Sequence, residues 1–258
     1  MAQSDLPAPP SLWNALRGIG ARRELVELLD RPDGEAHALA GNLAHLRLMN
    51  RWFGWSRALA DDLLSLMRRR GLRAALLLDV ATGSADVPRA VATALARRGH
   101  RLDLLASDVA RPVLREARLH AARGWPVQLV QPVQLLQHDA RLIPLRDRSV
   151  DIVTCCLAAH HLDPAGVRAL LTEMWRVARH AVLVSDLERG RLAYLGARLL
   201  ALVLRNPLTA HDGPVSVLRA YTPAELRHLA AEAGLASVRV HTRLPARMTL
   251  IAEKDVEP

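Results

Sequence analysis

Short, continuous apolar runs that alternate with helical stretches are the feature that most constrains the fold of this chain. The runs cover residues 75–80, 102–107, 133–136, 149–156 and 181–185. Strands that are buried on both faces have such runs, and the helices that cross between parallel strands separate them. The sequence therefore predicts an α/β protein with a parallel sheet that helices cover on both faces.

Two more strands near the C-terminus complete the predicted sheet. They lie at about 237–242 and 248–252 and predict an antiparallel hairpin at the sheet edge. The helix before them begins at Thr222, with proline at the next position and Glu225 in the first turn, a capping pattern. The complete prediction is a seven-stranded, mostly parallel, Rossmann-like sheet with an antiparallel edge hairpin.

The first 72 residues have no strand pattern and predict an N-terminal helical cap. Leucine and isoleucine recur at helical spacing from Leu12 to Leu29, and residues 31–34 have the composition of a turn. A second helical run over 35–70 is predicted to break near Gly54.

We predict that residues 73–258 form one domain. Within it, residues 187–221 are a helical insert after the fifth strand, and we expect this insert and the N-terminal cap to close over the site as a lid.

The charge balance suggests anionic partners, but its distribution argues against nucleic acid. The chain has 35 basic and 26 acidic residues, a formal charge of +9. Lys254 is the only lysine, and the arginines are scattered apart from the run 68–70. A nucleic-acid binder more often clusters its charges among aromatic residues, which make up only 3% of this chain. We predict a solvated basic surface and no nucleic-acid partner.

The two cysteines and the most apolar segment indicate the compartment. Cys155 and Cys156 are neighbours on a strand and point to opposite faces, so no disulfide is predicted. With no signal peptide evident, we expect a reducing cytoplasm.

Residues 192–204 are apolar, but Arg198 interrupts them and they are shorter than the ~20 residues of a membrane span. We expect at most a weak lipid contact, and the oligomeric state stays open.

The candidate site follows the first strand. Open α/β sheets bind ligands outside the carboxyl ends of their strands. Residues 79–86 place an acid, small residues and Gly83 at that position, and the next helix starts near Asp86. Its free N–H groups favour a carboxylate. An ordinary strand-to-helix turn with a capping acid is the alternative.

Two further acids occupy the corresponding positions of the second and third strands. Asp108 lies 29 residues after Asp79 and could accept both hydroxyls of a ribose. Asp139 could accept from an adenine amino group. Each could instead be a helix cap or a loop acid, so the coincidence at three consecutive strands carries the prediction.

Residues 76–86 resemble the first motif of class I S-adenosylmethionine (SAM)-dependent methyltransferases, and within that family the ubiquinone- and menaquinone-biosynthesis type. Residues 138–153 and the His160-His161-Leu162 segment are similar to later parts of the same family. Residues 50–54 and 205–220 resemble a bacterial subgroup found with type III polyketide synthases.

The resemblance implies a cofactor, an acceptor and a set of binding residues. The cofactor is S-adenosyl-L-methionine, and the acceptor is a small phenolic, quinone-like, polyketide-like or lipid-like molecule. The implied cofactor-binding residues are Asp79, Ala81, Thr82, Gly83, Asp108, Val109, Asp139, Ala140 and Leu157.

The first motif departs from the family pattern, which has three glycines, because Ala81 and Ala85 replace two of them. Alanine at position 81 also occurs in the quinone-type members. Ala85 adds a methyl group where the backbone passes the cofactor, so a catalytically weak scaffold protein is one alternative.

Histidines after the fourth strand are the candidate catalytic residues. A phenol has a pKa near ~10, and histidine is the natural base at neutral pH. His160 and His161 are the first choice, and His211 beside Asp212 in the insert is the second. A role in shaping the pocket is an equal alternative for each, and no metal site is predicted.

Two other enzyme classes use related sheets. A nicotinamide oxidoreductase would have G-x-G-x-x-G after the first strand, and residues 81–86 do not fit it. An RNA methyltransferase is suggested by the charge of +9, but an Asn/Asp-Pro-Pro-Tyr-type motif for a flipped base is absent after the fourth strand.

Overall fold

The computed structural model describes residues 11–28, 36–122, 132–204, 207–244 and 246–255. They contain one seven-stranded sheet of order β3-β2-β1-β4-β5-β7-β6. The first five strands pair in parallel, and β7 is antiparallel to both β5 and β6, which confirms the predicted sheet and its edge hairpin. The strands are β1 Ala74–Val80, β2 Arg101–Asp108, β3 Gln134–Gln137, β4 Val150–Cys156, β5 Ala178–Leu187, β6 Val238–Arg243 and β7 Arg247–Glu253.

The helices that the structure describes fall where the apolar periodicity predicts them, with one exception discussed below. The last helix begins at Pro223, directly after the N-cap Thr222, which forms a complete capping box with Glu225. The helices are α1 Leu12–Arg17, α2 Ala36–Trp52, α3 Trp55–Arg69, α4 Asp86–Ala96, α5 Arg111–Ala122, α6 Pro164–Val177, α7 Arg191–Leu204, α8 Pro207–Arg219 and α9 Pro223–Glu232. A 3₁₀ turn, Ala159–His161, follows β4.

The sheet is buried on both faces. One face packs against α6 and α9, and the other packs against α3 and α4. Gly54 separates α2 from α3 with φ +67°, as the predicted break requires. Because Leu59, Leu63 and Leu66 of α3 contact the sheet core, this helix shares the core of the main domain. The division at residue 72 stays a prediction.

The N-terminal segment differs from the prediction, because residues 22–27 are not helical. Arg22 donates to the carbonyl oxygens of Leu162 and Arg219, both at 2.8 Å. The backbone N–H of Leu28 donates to Asp212 at 2.8 Å. These long-range hydrogen bonds hold the segment extended across the molecule, so the leucine spacing over-predicted a helix. The turn predicted at 31–34 lies outside the described residues.

The topology places a crevice between β1 and β4. Strands β2 and β3 lie on one side of β1, and β4 and β5 lie on the other, so the strand order reverses between β1 and β4. Ligands of open α/β sheets bind at such a switch point, beyond the carboxyl ends of the strands. Within the described residues, no helix is long and apolar enough to cross a membrane.

Candidate active site

A cavity of about 940 Å³ opens at this switch point. Its floor consists of the turn after β1 and the segment after β4, and its walls come from α2, α7 and α8 together with Glu27. Phe53, between α2 and α3, and Trp55, the first residue of α3, add aromatic surface. A cavity of this size is in the range that holds small molecules and cofactors.

The turn between β1 and α4 is tied to the neighbouring strand β2. The N–H of Thr82 donates to the carbonyl oxygen of Ser107 at 2.8 Å, and the N–H of Gly83 donates to Asp108 at 3.1 Å. Gly83 has φ +57°, and Ala81 and Ala85 adopt similar left-handed conformations. A turn held this way brings its backbone to the cavity surface with little room to move.

Asp79 lies at the base of the turn and lines the cavity, although only 1% of its surface is exposed. Its two oxygens accept from the hydroxyls of Thr82 at 2.7 Å and Thr154 at 2.6 Å. Burial raises the pKa of Asp79 to about 7, against the lowering effect of these hydrogen bonds. A buried carboxylate with a raised pKa in a cavity is typical of a functional site.

A second acid, Asp86, is the first residue of α4 and also lines the cavity. It accepts from the hydroxyl of Ser84 at 2.7 Å and from the amide of Asn50 at 3.1 Å. This carboxylate lies in the helix turn that the sequence predicts as a site for a ligand carboxylate. With Asp79 close by, the floor favours the cationic part of a ligand.

Asp108 lies beside the turn and outside the cavity lining. Its oxygens accept from the N–H groups of Gly83 at 3.1 Å and Ala110 at 3.0 Å, and burial raises the pKa of the carboxyl above its usual value. Val109 is 63% exposed and is also outside the lining. Each carboxylate oxygen has a second lone pair, so Asp108 keeps acceptor capacity for a ribose.

The third acid, Asp139, is near the sheet edge and pairs with Arg141. The guanidinium donates to both carboxylate oxygens of Asp139, at 2.7–3.1 Å, and this lowers the pKa of the carboxyl. Asp139 and Ala140 do not line the cavity. The roles predicted for Asp108, Val109, Asp139 and Ala140 stay predictions, and none of the four residues lines the cavity.

The methyl group of Ala85 points away from the cavity. Ala85 is 1% exposed, belongs to a small cluster with Ala106 and Ala117, and is not part of the cavity lining. The methyl group that replaces the family glycine therefore packs between β2 and α5, where it has no contact with a ligand in the cavity.

The segment after β4 brings the predicted histidines to the cavity. Leu157, His160 and His161 all line it. Nδ1 of His160 lies 2.6 Å from Asp186 at the end of β5, and the backbone N–H of His160 donates to the same carboxylate at 3.0 Å. Burial by itself would raise the pKa of the Asp186 carboxyl. The interaction with His160 and the hydrogen bond from the N–H of Leu187 outweigh the effect of burial, so the pKa lies below its usual value.

Glu27 approaches the two histidines from the N-terminal segment. Its oxygens lie 3.9 Å from Nε2 of His160 and 3.9 Å from Nε2 of His161. Arg219 of α8 lies 3.5 Å from Glu27 and donates to the carbonyl oxygen of His161 at 2.8 Å. The result is a buried polar network at one wall of the cavity, apart from its acidic floor.

Glu27, His160 and His161 also have the composition of a metal site, since one ligand atom of each lies within 4.8 Å of the others. The carboxylate of Glu27, however, already faces the guanidinium of Arg219. A divalent cation at that position would lie beside a fixed positive charge. We therefore assign these residues to a polar network.

The second-choice histidine lies behind the cavity wall. His211 and Asp212 are in α8, which continues through Pro214, so they are part of a helix. Nδ1 of His211 is 2.7 Å from Asp212, which lines the cavity, whereas His211 does not. The role predicted for His211 remains untested, and its observed contact orients Asp212.

Three residues that contact the predicted site residues were not identified from the sequence: Glu27, Thr154 and Asp186. Asp186 has the same signal as the predicted acids, because it follows the apolar run of the fifth strand. Thr154 lies inside a strand, and Glu27 lies in a segment without periodicity. Only their contacts reveal them.

The fold is shared with SAM-dependent methyltransferases of known structure. A SAM-dependent methyltransferase of Aquifex aeolicus has a similar structure, with a TM-score of 0.56, 20% identity, and coverage of 83% of this chain and 97% of the other. Human N-acetylserotonin methyltransferase in complex with SAM has a TM-score of 0.63 and 16% identity, over 95% of this chain and 67% of the other.

A family model agrees with the fold. Residues 77–181, which run from β1 into β5, match the model described as "Methyltransferase domain". This central segment of the chain is therefore similar to a methyltransferase domain. Magnesium protoporphyrin IX methyltransferase of Synechocystis, with bound S-adenosylhomocysteine (SAH), is similar at a TM-score of 0.50 and 16% identity, over 78% of this chain and 84% of the other. No curated protein matches the chain.

Proposed function

We propose that this enzyme transfers the methyl group of SAM to a hydroxyl group of a small, largely apolar molecule of the phenolic, quinone-like or polyketide-like class. The single observation that carries the proposal is that one cavity joins the Gly83 turn to the His160–Asp186 pair across apolar walls. We place the reaction in the cytoplasm, where Cys155 and Cys156 stay reduced.

The acidic floor suits the cationic cofactor. SAM carries a sulfonium and an ammonium group, and Asp79 and Asp86 line this part of the cavity. We assign the ammonium end to the side of Asp79 and the ribose to Asp108, with Ala81, Thr82 and Gly83 beneath the methionine part. Asp139, Ala140 and Val109 border the adenine side, and Leu157 packs on the base.

The acceptor end is largely apolar outside the histidine network. Leucine and alanine side chains of α7 and leucine and methionine side chains of α2 make up most of its lining, so an extended apolar group is favoured over a charged one. The bulk of the acceptor lies against these helices, while its hydroxyl reaches the wall formed by His160 and His161.

The histidine pair supplies proton transfer. Because the carboxylate of Asp186 accepts from Nδ1 of His160, Nε2 is the nitrogen left to take a proton. The acceptor oxygen loses its proton to Nε2 and bonds to the methyl carbon, and the C–S bond breaks with its electron pair moving to sulfur. The products are a methyl ether, SAH and a protonated His160. His161, with 29% of its side chain exposed, contacts the acceptor.

The rate depends on alignment, since the sulfonium donor is already activated. Holding the oxygen, the methyl carbon and the sulfur in line about 3 Å apart supplies most of the acceleration. The extended segment with Glu27 and the helices α7 and α8 enclose the acceptor end and exclude water.

The test measures binding first and transfer second. We expect SAM and SAH to bind in calorimetry and NADH not to bind, and labelled SAM to transfer its methyl group to an alkyl phenol in mass spectrometry. His160→Gln should lower kcat and leave the Kd of SAM unchanged, whereas the exposed His228→Gln serves as the matched control. Binding of NADH without SAM, or transfer to tRNA and not to phenols, would reject the proposal.

A further inference from the structure

Four exposed leucines form the rim of the cavity. Leu46 of α2 is 37% exposed, Leu192 and Leu199 of α7 are 81% and 64% exposed, and Leu244 in the turn between β6 and β7 is 87% exposed. All four also line the cavity. Large apolar side chains grouped at the mouth of a binding cavity mark contact with another apolar phase.

Helix α7 extends this rim into a stripe. Leu195 and Leu202 are 41% and 73% exposed, and with Leu192 and Leu199 they recur at intervals of three and four residues, which places them on one face. On the opposite face Tyr194 is fully buried in a cluster with Leu218. The core therefore holds the helix while its leucine stripe faces outward.

The charges around the rim are basic. Helices α2 and α7 contain Arg47, Arg51, Arg191 and Arg198 and no acidic residue. Glu188, just before α7, is an acid of the cavity lining, and burial raises the pKa of its carboxyl. An apolar helix face flanked by arginines fits the boundary between acyl chains and anionic headgroups.

A second copy of the chain fits this surface less well. Most dimers are symmetric and place the same patch of each subunit against the other. Such a contact would bring the arginines of α2 and α7 close to their own copies, and it would cover the mouth of the cavity. An anionic bilayer offers charge complementarity and leaves an apolar route into the site.

We propose that the leucine rim (Leu46, Leu192, Leu199 and Leu244) and the stripe of α7 dock on the surface of an anionic bilayer. An apolar acceptor then passes from the lipid into the cavity. The docking is independent of the proposed function, whereas the delivery of the acceptor rests on it.

The docking is tested by cosedimentation of the full chain with phosphatidylcholine vesicles, prepared with and without phosphatidylglycerol. We expect binding to the anionic vesicles that weakens with salt. The variant Leu195→Glu/Leu202→Glu, whose residues do not line the cavity, should bind roughly tenfold more weakly or worse, because it loses apolar area and gains repulsion. Leu119→Glu/Leu142→Glu, at exposed leucines of α5 and of the turn after β3, is the matched control.

Wild-type affinity of the stripe variant for anionic vesicles would overturn the docking. The docking would also be overturned if light scattering showed a concentration-dependent dimer of the wild type and only a monomer of the stripe variant. For delivery, we expect the stripe variant to methylate a soluble short-chain phenol at the wild-type rate and a long-chain phenol in vesicles more slowly. If the stripe variant methylated the long-chain phenol in vesicles as fast as the wild type does, the delivery of the acceptor from the lipid would be refuted. If the wild type binds vesicles and methylates neither phenol, the proposed function fails and the docking stands.

Discussion

Asp79 gives the sharpest test of the cofactor site, because its raised pKa makes SAM affinity depend on pH. With a pKa of about 7, its carboxyl is about 9% ionised at pH 6 and about 76% ionised at pH 7.5. A cation binds the ionised form, so protons compete with SAM in this range. The ammonium of SAM stays largely protonated up to pH 7.5, given a reference pKa near ~8 for an α-amino group.

We expect SAM to bind about eightfold more tightly at pH 7.5 than at pH 6. Isothermal titration calorimetry across this range measures the Kd values. Asp79→Asn is nearly isosteric: one of the hydroxyls of Thr82 and Thr154 can rotate to accept from its amide N–H, while the other still donates to its oxygen. The variant should bind SAM weakly and with little dependence on pH. Asp103→Asn, on the exposed part of β2, is the control.

The same ionisation predicts the opposite effect on the unliganded fold. The folded pKa is raised above the ordinary 3.8, so the folded state binds more protons than the unfolded state between about pH 4 and pH 7. Stability from this group is full below pH 4 and is lost as the pH rises to 7. At pH 8 the cost is at most about 4 kcal/mol, so Asp79→Asn should raise the free energy of unfolding. A flat SAM affinity in the wild type, or the same slope in Asp79→Asn, would refute this account of the site.

Three further predictions concern the neighbouring residues. Asp186→Asn should lower kcat about 10²-fold or more and leave the Kd of SAM unchanged, because His160 loses the carboxylate that holds its Nδ1–H. An unchanged kcat in steady-state kinetics would show that His160 is not the base. Asp108→Asn should weaken SAM binding by about 1–3 kcal/mol in calorimetry through lost charge-assisted hydrogen bonds, and wild-type affinity would limit Asp108 to holding the Gly83 turn. Ala81→Gly should raise the free energy of unfolding in urea by about 0.5–1 kcal/mol, because φ +52° strains alanine, and a loss of stability would contradict that strain.

Local patterns in the chain determined most of the fold. A strand that is buried on both faces must be continuously apolar, and a crossover helix must bury one face, so the periodicity alone predicted the seven strands and most of the helices. The same rule placed the acids at the carboxyl ends of strands, which is how Asp79 was found at the base of the cavity. Each of these inferences depends on residues close together along the chain.

Tertiary structure decided what depends on distant residues. The extended segment before α2 is held by hydrogen bonds from Arg22 and Leu28 to residues more than 130 positions away, and these contacts outweighed a helical leucine pattern. Those contacts also carry Glu27 to the histidines, which no local pattern indicated.

The directions in which side chains point could likewise not be predicted from the sequence. A motif shows that Ala85 and Asp139 follow strands, but it does not show where their side chains point. Packing against Ala106 and Ala117 turns the methyl group of Ala85 into the core, and Arg141 captures the carboxylate of Asp139 outside the cavity. The chemistry of the site is therefore set by which neighbours the completed fold brings to each strand end.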